Sequence, residues 1–167
     1  MTSTHGSPDE PRWLDDEQLG AWRRLSGMLI KLPYALDAQL QRDECITYFE
    51  YLVMANLSES PARTRRMSEL AFLTNGSLSR LSHVARRLEK RSWLRREPCP
   101  GDGRFTNAVL TDEGLAKVVQ AAPGHVATVR ELVVDALTTA QVRQVGAIAE
   151  RVLGRFEPTG TCPPAAR

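Results

Sequence analysis

Hydroxyl and cationic side chains dominate one short stretch of the chain, from Ser77 to Lys90. Its sequence, SLSRLSHVARRLEK, repeats apolar residues at intervals of three and four, which predicts an amphipathic helix. The polar positions carry no acid before Glu89. Arginine presents a planar set of donors that suits guanine or phosphate. A helix with such an outer face is typical of one that enters the major groove of duplex DNA.

We expect this face to supply the contacts with double-stranded DNA. Arg80 is the best candidate for a bidentate contact with guanine, and Arg104 is expected in the minor groove. The candidate groove contacts of the helix are Ser77, Ser79, Arg80, Ser82 and His83, and the candidate phosphate contacts are Arg86, Arg87, Arg95 and Arg96. The alternative for each arginine is a solvated surface charge, and for each serine a capping role.

Charge is divided unevenly along the chain. Residues 61–104 contain eleven basic and four acidic residues, a local net charge of +7, whereas the whole chain carries +2 and the remainder therefore −5. Such segregation suggests that one stretch meets a polyanion and that the flanking body does not.

A short helix and a tight turn precede the cationic stretch. Residues 66–73 predict about two helical turns that bury Met67, Leu70, Ala71 and Leu73. Thr74-Asn75-Gly76 predicts a turn, and Ser77 or Asn75 can cap the next helix. That helix is expected to run from Leu78 to about Arg91 over a buried stripe of Leu78, Leu81, Ala85 and Leu88. Two helices joined in this way predict a helix-turn-helix.

A β-hairpin is predicted next. Its strands are residues 94–97 and 105–110, and Asp102-Gly103 marks the tip of the loop between them. The order helix, helix, hairpin makes this ribbon the wing of a winged helix-turn-helix.

Amphipathic helices are predicted on both sides of this unit. The first begins at Asp15 and continues to Leu40, with a bend near Pro33. A second is expected from Ile46 to Leu57, before a basic loop at 58–66. Thr111 caps a further helix, which Pro123 bends or divides, and Thr138 with Gln141 has the capping-box spacing that starts the last one.

Composition and motifs exclude several classes of protein. The chain is 42% hydrophobic and 25% charged, as in ordinary globular proteins. It lacks both an apolar run of about 20 residues for a membrane span and an apolar signal segment, so we expect a cytoplasmic location. Three separated cysteines, Cys45, Cys99 and Cys162, favour neither a disulfide framework nor a zinc site. His83 has no ligand-spaced neighbour, and the glycines at 101 and 103 form a hairpin tip. We expect no catalytic site, metal or cofactor.

These stretches resemble the multiple-antibiotic-resistance regulator (MarR) family of bacterial transcription factors. Residues 66–104, RMSELAFLTNGSLSRLSHVARRLEKRSWLRREPCPGDGR, and VLTDEG at 109–114 carry the resemblance. The family pattern has Asp-x-Arg in the wing, which Asp102-Gly103-Arg104 meets, and Leu-Thr-x-x-Gly at the next helix, which residues 110–114 meet. Two positions depart from it: Ser92 stands where the family usually has glycine, and Arg86 where an acid is common.

The resemblance implies a mainly α fold with a small β-hairpin wing, a winged helix-turn-helix with N- and C-terminal dimerisation helices. The expected parts are a disordered tail at 1–12, a dimerisation helix at 13–41, a DNA-binding lobe at 42–110, linking and dimerisation helices at 111–156, and a disordered tail at 157–167. It also implies a homodimeric repressor that a small, aromatic ligand releases from a pseudo-palindromic operator. Aromatic residues that could line the ligand pocket, or simply belong to the core, are Trp22, Tyr34, Tyr48, Phe49 and Tyr51.

Two alternatives stay open. Cys99 or Cys45 could make the protein a redox-responsive regulator, and the arginines near Cys99 would favour its thiolate by lowering the thiol pKa. Relatives that respond to peroxides carry their reactive cysteine within the first helix. Cys45, however, is expected outside that helix. The other alternative is a winged helix that binds a protein and no DNA, which the +7 charge of residues 61–104 disfavours.

Overall fold

The computed structural model describes residues 11–100 and 102–156, which form six α-helices, a 3₁₀ turn (Pro61–Arg63), a π-helical turn after α5 (Arg130–Val134) and a three-stranded sheet. The helices are α1 (Asp16–Glu44), α2 (Tyr48–Ser58), α3 (Met67–Leu73), α4 (Leu78–Lys90), α5 (Asp112–Val129) and α6 (Thr139–Leu153). The strands are β1 (Thr64–Arg66), β2 (Leu94–Cys99) and β3 (Asp102–Leu110). Apart from Pro11 and Arg12, the two predicted tails, and Cys162 with them, lie outside the described residues.

Side chains at the helix N-termini fix where most helices begin. Asp15 with Gln18, Thr47 with Glu50, and Thr138 with Gln141 form capping boxes at α1, α2 and α6. The hydroxyl oxygens of Ser77 and Thr111 accept hydrogen bonds from the first turns of α4 and α5. The caps predicted at Ser77, Thr111 and Thr138 are therefore confirmed. Ile46, expected inside the second helix, precedes its cap at Thr47 and is buried.

The core lies where α2, α3, α4 and α5 meet the end of α1. Leu40 of α1, Met54 and Leu57 of α2, Leu70 of α3 and Leu88 of α4 are completely buried. Burying a leucine side chain contributes about 1.5–3 kcal/mol, so this cluster holds the helix-turn-helix in one arrangement. Early residues of α1 and all of α6 contribute nothing to it.

The wing is a three-stranded antiparallel sheet in the order β1-β3-β2. Leu94 pairs with Leu110 and Glu97 with Asn107, and the register shifts between Pro98 and Cys99. Both hairpin strands are longer than predicted: Asp102 and Gly103, predicted at the tip, belong to β3, where Asp102 pairs with Cys99, because backbone pairing continues past the apolar residues that signal a strand. The prediction of a loop for residues 58–66 was wrong in part, because Thr64–Arg66 pairs with the outer edge of β3. Three residues without apolar alternation carry no strand signal, and only the neighbouring edge makes them a strand.

Two leucines predicted to be buried are exposed. Leu73 of α3 is 46% exposed because the buried face of that helix continues to Thr74, whose hydroxyl donates to the carbonyl of Leu70. Leu78 is 53% exposed because it stands in the first turn of α4, beside the wing rather than beneath a helix. Val84 takes its place in the buried stripe of α4.

Neither internal proline divides its helix. Pro33 lies within α1 and Pro123 within α5, and both helices continue past them. A proline in a helix removes one hydrogen bond to the carbonyl four residues earlier. Both rings face solvent, where water can satisfy that carbonyl, so the predicted division at Pro123 does not occur.

The junction between the wing and α5 involves a left-handed residue, Ser92, and a close backbone approach at Gly114. Ser92 adopts a φ of 60°, a left-handed conformation that favours glycine, the residue that the family usually has at this position. Its carbonyl accepts a hydrogen bond of 2.7 Å from the Thr111 hydroxyl. Gly114, in the first turn of α5, packs so closely that an added Cβ would overlap the Trp93 carbonyl oxygen.

We expect Gly114→Ala to lower the free energy of unfolding by about 2 kcal/mol or more, because backbone has to move to admit the methyl group. Gly103→Ala is the control, since nothing lies within 4 Å of a Cβ there. Urea denaturation followed by circular dichroism measures both variants. Equal stability of the two variants would contradict the close approach.

Candidate nucleic-acid interface

The outer face of α4 is presented to solvent beside the wing. Ser79, Arg80, His83, Arg86 and Arg87 are exposed, and Ser82 is half-buried. Ser77 is exposed at the N-terminus of the helix, where its Oγ accepts a hydrogen bond of 3.1 Å from the Arg80 amide. The buried stripe lies on the opposite side. The structure therefore brings the predicted groove residues onto one accessible surface.

Arg80 is held against an aromatic ring. Its guanidinium carbon lies 4.0 Å from the centroid of the Phe49 ring, the geometry of a cation–π contact. Phe49 is buried in the first turn of α2, and its far edge abuts Gly76, where a Cβ would lie 2.6 Å from Phe49 Cζ. Gly76 thus leaves space for the ring, while the left-handed conformation of the turn falls on Asn75, with a φ of 50°.

Arg87 is held by a buried carboxylate. Glu50 Oε1 lies 3.2 Å from an amino nitrogen of Arg87, and the Glu50 side chain is only 5% exposed. Glu50 Oε2 also accepts a hydrogen bond of 2.8 Å from the Thr47 amide as part of the capping box of α2. One carboxylate therefore caps α2 and restrains an arginine of α4.

A second carboxylate joins α4 to the wing. Glu89 accepts hydrogen bonds from Nε and an amino nitrogen of Arg96, at 3.0 and 2.7 Å. The hydrogen bond from Arg96 lowers the pKa of Glu89 and raises that of Arg96, so both groups stay charged at neutral pH. Arg95 pairs with Glu97 along the same strand. Arg95 and Arg96, which were both predicted to contact phosphates, thus each have an acidic partner within the chain.

The wing carries a cationic crevice against α4. A cavity of about 220 Å³ is lined by Ser82 of α4 and by residues of the wing and α3 that include Arg66, Arg104 and Phe105. Arg66 lies over the Phe105 ring, 4.9 Å from its centroid. Arg104 is exposed and donates two hydrogen bonds to Asp102, which lower the pKa of that carboxyl.

Sequence reasoning missed Arg66 and Phe105 as members of this surface. Arg66 was assigned to the start of a helix, whereas it ends β1, directly across the sheet from Asn107. An arginine before the helix and an aromatic residue in the wing were the only signals in the sequence. Neither signal indicates that Arg66 and Phe105 contact each other, because only the sheet brings the two residues together.

The five aromatic residues proposed for a ligand pocket are not gathered in one cavity. Trp22 and Tyr34 are 53% and 75% exposed on α1, and Phe49 lies under Arg80. Tyr48 and Tyr51 instead surround His125 of α5, with ring centroids 5.8 and 4.5 Å from its own.

His125 and Gln39 leave polar atoms unpaired in this region. His125 Nδ1 and Gln39 Oε1 are buried and have no hydrogen-bond partner among the described residues. Burial lowers the pKa of His125, so the imidazole is neutral at pH 7. The Gln39 amide nitrogen lies 3.1 Å from where a Cβ of Gly124 would be, which places the two groups at the same contact between α1 and α5.

Cys45 follows α1 in a left-handed conformation and is exposed, and Cys99 is partly exposed at the end of β2; both are free thiols. No group of three metal-binding side chains lies together among residues 11–100 and 102–156. In the same residues, no helix has the length and apolar character to cross a membrane.

The chain is similar to known regulators over most of its length. The family model described as "MarR family" matches residues 46–106, from just before α2 into the wing. A crystal structure of Sco3205, a MarR family transcriptional regulator from Streptomyces coelicolor in complex with DNA, is 43% identical, with a TM-score of 0.86 over 95% of this chain and 99% of that one. The chain belongs to the MarR family.

Two other relatives agree with this assignment. The MarR regulator AbsC from Streptomyces coelicolor is 36% identical, with a TM-score of 0.82 over 87% of this chain and 98% of that one. The transcriptional regulator PecS from Dickeya dadantii is 46% identical over 46 residues, which are 28% of each chain. The protein is therefore a DNA-binding transcriptional regulator with the winged helix of its family, as the sequence predicted.

Glu50→Gln is expected to strengthen salt-dependent binding to non-specific DNA. Glutamine keeps a capping oxygen, but Arg87 loses its charged partner and can neutralise a phosphate. The plot of log affinity against log salt should steepen by up to about 0.9, measured by fluorescence anisotropy with a random duplex. Glu131→Gln makes the same charge change at an exposed position beyond α5. Equal slopes of log affinity against log salt for Glu50→Gln and Glu131→Gln would contradict the restraint of Arg87 by Glu50.

Proposed function

We propose that this MarR regulator is a homodimeric repressor that binds a pseudo-palindromic operator. The observation that carries the proposal is the outer face of α4, where exposed arginines and hydroxyls stand beside a cationic wing. Arg80 contacts guanine together with Ser77, Ser79, Ser82 and His83 in the major groove. Arg86, Arg87, Arg95 and Arg96 approach phosphates, and Arg104 reaches the minor groove.

The apolar surfaces of α1 and α6 support the dimer. No residue of α6 is buried, although Val145, Ile148 and Val152 recur on one face at helical spacing. Trp22, Leu25 and other apolar residues are similarly exposed on α1. An amphipathic helix requires something to cover its apolar face, and the same helices of a second copy provide it. Two-fold symmetry then sets the α4 helices about 34–36 Å apart, one turn of DNA.

Selection from a library of randomised duplexes tests the operator. Full-length protein should enrich a pseudo-palindrome, and its affinity for that duplex should fall steeply with salt. A winged helix that binds only proteins would enrich no sequence.

Ile148→Asp should convert the dimer to a monomer, because two carboxylates would be buried in the proposed interface. We expect at least a tenfold loss of affinity for the selected duplex, since one α4 helix then reads one half-site. Sedimentation velocity and mobility shift measure the two effects. Ala147→Asp, on the polar face of α6, is the control. A wild-type monomer, or a dimer of the Ile148 variant, would refute the interface.

Release by a small aromatic ligand is the second part of the proposal. The support is the contact of α1, α2 and α5, where His125 lies between Tyr48 and Tyr51 and two buried polar atoms have no partner among the described residues. A phenolic ligand would stack on these rings and pair with one of those atoms. α2 also holds Arg80 and Arg87, so a ligand there can displace the DNA-binding face.

His125→Phe should abolish the response to ligand but keep operator affinity within about twofold, because it removes the ring nitrogen and retains the ring. The probes are 4-hydroxybenzoate and simple phenols, added to the operator complex in a mobility-shift titration. Tyr34→Phe, at an exposed residue, should respond as the wild type does. Failure of every probe to release the wild type, or an unchanged response of the His125 variant, would refute this site.

A further inference from the structure

The first turn of α2 holds two arginines of α4 in different ways. Phe49 lies under Arg80, and the next residue, Glu50, pairs with Arg87, two helical turns further along α4. The two contacts differ in kind. Glu50 forms a salt bridge with an amino nitrogen of Arg87, whereas the Arg80 guanidinium carbon lies over the Phe49 ring.

The contact with the ring leaves the donors of Arg80 without an acidic partner. A guanidinium carries five N–H donors, and an aromatic ring offers no carboxylate oxygen to pair with them. No carboxylate of the described residues lies within 4.0 Å of the Arg80 nitrogens, whereas Arg87, Arg95, Arg96 and Arg104 all have one. Arg80 is therefore oriented by the protein while its hydrogen-bonding edge remains available.

The ring that orients Arg80 cannot move freely. Phe49 is 7% exposed and belongs to the buried core, and Gly76 closes against its far edge. Arg80 thus rests on a support that the fold fixes, although the guanidinium itself is on the surface. An exposed arginine without such a support samples many rotamers, and ordering it on binding costs free energy.

We propose that Phe49 is a positioning residue for base readout: it holds the Arg80 guanidinium in the plane that a guanine in each half-site requires. This inference rests on the proposed function and adds a specificity determinant outside α4 and the wing. Phe49 does not touch DNA and acts through Arg80. Its removal should therefore weaken discrimination at one base pair of each half-site and leave phosphate contacts unchanged.

The test compares base preferences of full-length variants selected on the randomised duplex library. Arg80→Ala identifies the base pair that Arg80 reads. Phe49→Leu and Phe49→Met keep an apolar side chain and remove the ring, and we expect each to reduce guanine preference at that same base pair by about two- to tenfold. Other positions and the salt dependence should match the wild type. Phe72→Leu is the matched control, because Phe72 is an exposed phenylalanine of α3.

A second measurement tests the contact without altering the core. The ring current of Phe49 should shift the Arg80 side-chain protons upfield in the NMR spectrum of the wild type, both free and bound to DNA. Arg80 side-chain protons that resonate at their usual chemical shifts in either state would overturn the proposal, even if the Phe49 variants fail to fold.

The outcomes distinguish a failure of this inference from a failure of the proposed function. No enriched sequence with wild-type protein would refute the proposed function and this inference together. If the wild type enriches a pseudo-palindrome and Arg80→Ala shows the same base preferences, only the role of Arg80 and Phe49 is refuted. A Phe49 variant that keeps the guanine preference, or loses preference equally at all positions, would show that the ring has a structural role alone.

Discussion

Leu81, Ala85 and Leu88 are completely buried beneath α4, and their packing sets the rotation and height at which this helix meets the rest of the protein. That packing therefore sets the direction in which each side chain on the opposite face of α4 points. A side chain has to be placed within a fraction of an ångström to form a bidentate hydrogen bond with a base. The proposed reading of DNA by α4 therefore depends on a core that lies on the opposite side of the helix.

Acidic side chains restrain much of the positive charge on this surface. Glu50, Glu89, Glu97 and Asp102 each pair with an arginine of α4 or the wing. A phosphate must compete with these carboxylates, so part of the attraction for any polyanion is already balanced within the chain. Such pairs therefore lower the electrostatic part of the affinity, on which binding to random DNA almost entirely depends.

The two ends of the described chain differ from its middle in what covers their apolar residues. Helices α2 to α5 bury one another, while the first turns of α1 and α6 leave Trp22, Ile148 and Leu153 open to solvent. The last turns of α1 nevertheless enter the core through Leu36 and Leu40. Because α1 is one continuous helix, movement in its first turns can reach the lobe without a hinge. Asp37 strengthens that connection by accepting a hydrogen bond of 2.7 Å from the Tyr48 amide at the start of α2.

The sequence by itself determined the features that depend on neighbours along the chain. Apolar spacing predicted α4, and capping residues predicted where α4, α5 and α6 begin. Asp102-Gly103 predicted a hairpin in this part of the chain, although both residues belong to β3 and not to the tip. Only the tertiary structure decided that Leu78 is exposed, that Thr64–Arg66 is a strand, and that Arg80 rests on Phe49 while Arg87 pairs with Glu50. The physical reason is that periodicity reports which side chains share a face of one element. The face that each element presents to another depends on how whole elements pack, and residues far apart in sequence meet only there.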